Sequence, residues 1–249
     1  MLSYFQAVVI GILQGVTELF PVSSLGHSVL VPALIGGSWH HLVTQTTTSS
    51  SENSPYLTFI VALHVATALA LIVVFRATWV RIVRGFLRSI RQRRIETSDE
   101  RLTWLIVIAT VPVGITGLLL EHTFRTLFAK PLLAAVFLSI NGLILFGGEA
   151  LRRRAEPGRR EARSARPATP GAGSGGLVVA ERRTLDTMPY RDAGVIGLFQ
   201  TLALLAGISR SGITMVGGLI RGLDHEDAAR FSFLLATPVI LGPGLFKLP

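Results

Sequence analysis

Gln14-Gly15-Val16-Thr17-Glu18-Leu19-Phe20-Pro21-Val22-Ser23-Ser24-Leu25-Gly26-His27 sits in the middle of an apolar run, yet it carries a carboxylate, an amide, three hydroxyls and an imidazole. Pro21 must break a helix there, because its ring removes an N–H and clashes one turn back. Polar groups and broken backbone at membrane depth are tolerated only where protein or a water-filled cavity surrounds them. The stretch therefore reads as a site. Its apolar flanks, residues 2–13 and 29–35, are each shorter than the ~20 helical residues that cross a bilayer. They suit a re-entrant pair of half-helices.

The chain repeats this pattern. Placing Ile10-Gly11-Ile12-Leu13-Gln14 over Ile196-Gly197-Leu198-Phe199-Gln200 carries Ser23 onto Ser209 and Gly26 onto Gly212 without a gap. The second copy reads Ala206-Gly207-Ile208-Ser209-Arg210-Ser211-Gly212-Ile213-Thr214. One copy brings an acid and a His, the other an Arg and hydroxyls. Two half-sites of complementary charge suggest one composite site.

Composition sets the solvent. Of 249 residues 49% are hydrophobic and 16% charged, and the mean hydropathy is +0.53. Soluble domains carry about 25% charged residues, so the chain reads as an integral membrane protein with a single membrane domain, residues 1–249. The net charge of +9 would fit a nucleic-acid partner, but its distribution argues against one. Eighteen of the 24 Lys and Arg fall at residues 76–101 and 152–191, between apolar segments. That is the positive-inside pattern, and both loops read as cytoplasmic. The absence of cysteine excludes a disulfide framework and a thiolate metal site. The N-terminus lacks a basic n-region and is not read as a signal peptide.

Taken in order, residues 37–56 form a loop without Lys or Arg, expected outside. Residues 57–75 span inward. Residues 76–101 hold an arginine-rich amphipathic helix that meets anionic lipid. Residues 102–120 span outward with a kink at Pro112, residues 121–130 are an outside loop, and residues 131–148 return inside. Residues 150–190 are basic and then Pro/Gly/Ala/Ser-rich, and read as a disordered cytoplasmic linker. Residues 193–205 and 212–220 are short apolar pieces around the second break, and 231–246 is a further span. The predicted fold is an all-α polytopic bundle with an inverted-topology repeat, residues 2–120 and 131–249, whose broken helices meet near the midplane. Transporters share that arrangement, so it does not by itself name an enzyme.

The residues in the breaks decide the chemistry. Glu18 and Arg210 are each costly in a bilayer, by about 2.5–3.5 kcal/mol at a helix centre for Arg or Asp. They either pair to hold the halves together or serve a charged ligand. Ser23, Ser211 and Gly212 equally suit close helix packing. Ser24 and His27, at i and i+3, share a face if a half-helix starts near Ser24. A glycine-containing break that opens a half-helix is an anion site. Arg210 can fork onto two phosphate oxygens there, with Ser209, Ser211, Gly212, Thr214, Ser23 and Gly26 around it. The ligand this suits is a phosphorylated head group whose lipid tail stays in the bilayer. Glu18, with Gln14 one turn earlier, offers oxygen ligands to a hard cation such as Mg²⁺. Ser24 is the candidate nucleophile and His27 its base. A metal-bound water and His27 itself are the rival nucleophiles. His64 and Asn141, lone polar residues in spans, read as satisfied core groups.

The run from Gln14 to Glu18, the run Pro21 to His27, and the run Ala206 to Thr214 resemble the undecaprenyl-diphosphate phosphatases, the bacitracin-resistance family. Gly218-Leu219 and Arg230-Phe231-Ser232-Phe233-Leu234-Leu235 are similar as well. Ala206 departs from the family's usual Pro, Gln14 takes an amide option at an acidic position, and the family would continue past Pro249 into a further helix. The resemblance implies hydrolysis of undecaprenyl diphosphate to undecaprenyl phosphate and phosphate, recycling the carrier for cell-wall synthesis and giving bacitracin resistance. It implies a divalent cation, Mg²⁺ or alternatively Ca²⁺, with the metal role falling on Glu18. It also implies a multi-pass plasma-membrane location, with the site opening to the extracytoplasmic side. A flippase for a polyprenyl phosphate is the alternative, since it would use the repeat and the arginine but not Ser24 or His27 as chemical groups. Oligomeric state is left open.

Overall fold

A computed structural model of the chain describes residues 2–48, 55–120, 130–164 and 184–247. Among the described residues the regular structure is all helical: α1 Tyr4–Leu19, α2 Ser24–Ile35, α3 Gly37–Thr48, α4 Pro55–Val74, α5 Arg76–Gln92, α6 Ser98–Leu119, α7 Pro131–Ser164, α8 Tyr190–Thr201, α9 Arg210–Ile220 and α10 His225–Lys247. Short 3-10 turns cover Leu185–Thr187 and Leu202–Leu204.

Among the described residues three helices are long and apolar enough to cross a membrane: α4 with 20 residues, α6 with 22, and residues 131–153 of α7 with 23. At 1.5 Å per residue each reaches ~30 Å, the thickness of the hydrocarbon core. They leave large apolar side chains uncovered, among them Val73, Val74, Leu118, Leu119, Leu132, Leu143 and Phe146. Such an extent of apolar surface needs lipid rather than water around it. The chain is a membrane protein, all-helical over the described residues.

The main core lies where α6, α8 and α10 meet, around Leu105, Ile106, Ala109, Ala193, Ile196, Phe231, Leu234 and Leu235. The approach of α6 to α8 is close because of Gly197, where a Cβ would stand 2.5 Å from the Ala109 carbonyl oxygen. A second core joins α1, α3 and α4 through Ile10, Leu42, Tyr56 and Ile60.

Helix boundaries follow the local chemistry. Ser3 and Gln6 close a capping box at the start of α1, and Thr97 and Glu100 close another at α6. Pro21 stops α1. Pro32 lies inside α2 and deprives the Ser28 carbonyl of its helical partner. Tyr56 of α4 supplies the missing donor, its hydroxyl lying 2.6 Å from that oxygen. A lost hydrogen bond thus becomes the joint between α2 and α4.

The structure departs from the sequence reading in two places. Residues 37–48, expected in a loop, form α3, which buries Leu42 and Val43; residues 49–54 of that loop lie outside the described residues. The expected linker is helical through Ser164, and at its start Glu149 accepts from Arg152 at 3.0 Å and Arg153 at 2.7 Å. Such pairs one turn apart favour helix over coil. At the other end of the linker Leu185 and Met188 are buried in the main core, and Arg101 donates to the Met188 carbonyl at 2.8 Å. Residues 165–183 of the linker and 121–129 of the expected outside loop lie outside the described residues. The arginine-rich segment is α5, with Val80, Val83, Leu87 and Ile90 exposed.

Candidate active site

Two breaks, between α1 and α2 and between the 3-10 turn Leu202–Leu204 and α9, lie backbone to backbone. A Cβ on Gly26 would stand 2.9 Å from the Gly207 Cα, and one on Gly212 would stand 3.1 Å from the Pro21 carbonyl oxygen. Gly207 has φ +114°, a conformation open to glycine and costly for other residues.

Both breaks end in a serine whose hydroxyl caps the next helix. Ser23 caps α2, its hydroxyl accepting from Gly26 N at 3.3 Å. Ser209 caps α9, its hydroxyl accepting from Gly212 N at 3.1 Å. These are the positions that the internal alignment superposes. Ser23 takes φ 67°, a left-handed value that costs a non-glycine residue on the order of 1–3 kcal/mol, directly before Ser24. The caps leave Ser24 as the first residue of α2 and Arg210 as the first of α9, so both side chains start where helix N-termini favour negative charge.

That charge is Glu18, in the last turn of α1. One carboxylate oxygen pairs with Arg210; the other accepts from the Ser24 hydroxyl and lies 3.2 Å from His64 Nε2. The Glu18 and Arg210 side chains are only 10% and 14% exposed, so each needs the other. Arg210 also reaches the Ala236 carbonyl at 3.4 Å, and its buried Nε meets no partner among the described residues. Ser211 donates to the Glu18 carbonyl at 3.3 Å and lies 3.1 Å from the Ser209 hydroxyl.

The breaks are pinned by Asn141 of α7. Its Nδ2 donates to the Pro21 carbonyl at 3.1 Å, and its Oδ1 accepts from Ser209 N at 2.9 Å. It is a satisfied core group, as read from the sequence, and it satisfies one backbone group from each break.

The remaining predicted site residues lie apart from the carboxylate. His27 has its Nδ1 2.8 Å from the Ser23 carbonyl, and among the described residues no hydrogen bond joins it to Ser24. Thr214 turns its hydroxyl to the Arg210 carbonyl at 2.7 Å and to Ser232 at 2.6 Å. Gln14 accepts from Thr67 at 3.2 Å, and its buried Nε2 has no partner among the described residues. His64, set aside in the sequence as a core group, belongs to the carboxylate cluster. The available signal was its cost: an ionisable side chain inside a span marks a site by default.

In this arrangement the oxygens that could hold a cation are already engaged, those of Glu18 by Arg210 and Ser24 and that of Gln14 by Thr67. Among the described residues no three His, Asp or Glu gather as metal ligands.

Comparison with known proteins identifies relatives of this chain. The family described as "Bacitracin resistance protein BacA" matches residues 7–249. Undecaprenyl-diphosphatase 2 of Frankia alni is 66% identical over 278 aligned residues, which cover 100% of this chain and 81% of the relative. Undecaprenyl-diphosphatase of Mycolicibacterium paratuberculosis is 58% identical over 248 residues, covering 100% and 78%. The protein of that name from Gluconacetobacter diazotrophicus is 44% identical over 240 residues, covering 96% and 73%. With a family match over nearly its whole length and relatives this similar, the chain belongs to the bacitracin resistance protein family.

Proposed function

We propose that the protein hydrolyses undecaprenyl diphosphate to undecaprenyl phosphate and inorganic phosphate, the activity for which its relatives are named. The observation that carries this reading is the single carboxylate, Glu18, shared by Ser24 of one break and Arg210 of the other. A carrier needs a charge to hold a phosphate. It has no need of a serine hydroxyl hydrogen-bonded to an ion-paired carboxylate.

In the reading favoured here, Arg210 exchanges one Glu18 oxygen for the terminal phosphate, whose charge and planar oxygen pairs suit its fork. Ser24 attacks the terminal phosphorus, forming the Oγ–P bond as the bond to the lipid phosphate breaks. Its proton passes to Glu18, the group it already donates to, and on to the departing phosphate oxygen. Water then attacks the phosphorus on Ser24, and as the Oγ–P bond breaks one of the water protons passes through Glu18 to Ser24 Oγ, releasing inorganic phosphate. His27, one turn along α2, and the hydroxyls of Ser209 and Ser211 are proposed to meet the substrate rather than Ser24. A divalent cation, Mg²⁺ or Ca²⁺, is proposed to arrive with the diphosphate, because Mg²⁺ keeps waters and takes substrate phosphates as ligands.

The matching caps at Ser23 and Ser209 support the inverted repeat with two re-entrant pairs. The basic segments at residues 76–101 and 152–191 support a plasma-membrane orientation with both inside and the site open to the outer face. Freed carrier lipid would return to cell-wall synthesis.

The test is purified protein in detergent with lipid diphosphate and Mg²⁺, assayed for released phosphate. Detergent removes any transport readout. Turnover supports the enzyme; stoichiometric binding without turnover supports a flippase.

A further inference from the structure

We infer that His64 is a positioning residue that holds the Glu18 carboxylate against Ser24, an inference that rests on the hydrolytic reading above. His64 lies on α4, which enters neither break. Its Nδ1 is 2.7 Å from the Ile60 carbonyl, and its Nε2 is 3.2 Å from Glu18 Oε2. A carbonyl can only accept a hydrogen bond, so Nδ1 donates to Ile60. That contact fixes the ring within its own helix and leaves Nε2 at ion-pair distance from the carboxylate. The same Nε2 is 3.3 Å from Ser24 Oγ, close enough to share its hydrogen with the serine oxygen.

Glu18 is thereby held on both sides, Arg210 on one oxygen and His64 on the other, with the Ser24 proton aimed at the oxygen that His64 holds. This matters most when substrate arrives. A phosphate that draws Arg210 away removes one restraint from Glu18, and His64 is the restraint that remains. The neighbouring turn of α4 supports the same contact, since Thr67 donates to Gln14 at 3.2 Å. His64 and Thr67, three residues apart, thus face Glu18 and Gln14, four residues apart on α1. In the role inferred here Nε2 holds Glu18 and the carboxylate takes the serine proton, so an amide donor should replace the imidazole.

The test compares His64→Gln with His64→Leu in the detergent phosphate-release assay, with kcat and KM measured separately and thermal unfolding recorded for each protein. Gln can donate to Glu18, whereas Leu has similar bulk and no donor. The expected result is a kcat loss of tenfold or more for Leu at little changed KM, with Gln restored to within about threefold of wild type. Equal loss in both variants would overturn the inference, because it would make the imidazole itself the proton acceptor. A Leu variant with wild-type kcat would overturn it too, as would a Leu variant that no longer shows a thermal transition, which would make the contact one of folding alone. If wild-type protein releases no phosphate, the hydrolytic reading fails instead.

Discussion

Ser209 donates its backbone N–H to the Asn141 side-chain oxygen at 2.9 Å across the bundle. The other end of the same amide donates to the Pro21 carbonyl at 3.1 Å. One side chain therefore sets the separation of Glu18, which precedes Pro21, from Arg210, which follows Ser209.

Asn141→Ala should accordingly loosen the site as well as the fold. It strands one donor and one acceptor, each costing about 1–3 kcal/mol when buried without a partner. A lowered thermal midpoint in detergent and a fall in kcat/KM are expected together. An unchanged midpoint would mean that water replaces the amide at both ends.

Arg210→Lys tests the fork. Lysine keeps the charge beside Glu18 but cannot meet two phosphate oxygens in one plane. A loss in kcat/KM of tenfold or more, about 1.4 kcal/mol, is the expected outcome of steady-state kinetics. Near-normal kinetics would leave the ion pair with Glu18 as the arginine's main role.

Much of this site could be read from sequence because its residues break the rules of an apolar environment. Glu18, Pro21 and Arg210 are each expensive where they stand, and the repeated Gln-to-Gly spacing ties one break to the other. His64 was not placed in that way. A lone histidine in a 20-residue helix has no motif, and which neighbour it meets depends on how α4 is rotated against α1. That rotation is set by packing at Ile10, Tyr56 and Ile60, which no local pattern encodes. The same holds for α3. Its Thr-rich sequence has weak helix propensity, and burial of Leu42 and Val43 by neighbouring elements outweighs it. The pairing of Ser24 with Glu18 instead of His27 follows from the strained cap at Ser23, whose carbonyl meets the His27 ring.

Chelation separates a resident cation from one carried by substrate. Stripping the protein with EDTA before lipid is added should leave its thermal midpoint unchanged, since Glu18 and Gln14 are engaged elsewhere. Activity should require Mg²⁺ supplied with the diphosphate. A resident ion at 100 times its Kd would contribute about 2.7 kcal/mol, so a clear drop in midpoint on chelation would reveal one.

Ser24→Ala decides what attacks phosphorus. The hydroxyl is buried at the first residue of α2, donates to Glu18, and follows the strained φ of Ser23, so its position is fixed by backbone as well as by its partner. If it forms the bond to phosphorus, the alanine variant should lose orders of magnitude in kcat, while a hydroxyl that only positions the phosphate would mainly raise KM when removed. Retention of about a third of wild-type kcat would point to direct attack by water. Rapid acid quenching of wild-type protein with phosphate-labelled substrate gives an independent reading. A phosphoserine survives acid and should map to the peptide containing Ser24, whereas a phosphohistidine at His27 or His64 would be lost. Label retained in wild type and absent from Ser24→Ala is the expected pair of results. Full turnover with no acid-stable label in wild type would remove the covalent step and leave Ser24 as a donor to the phosphate.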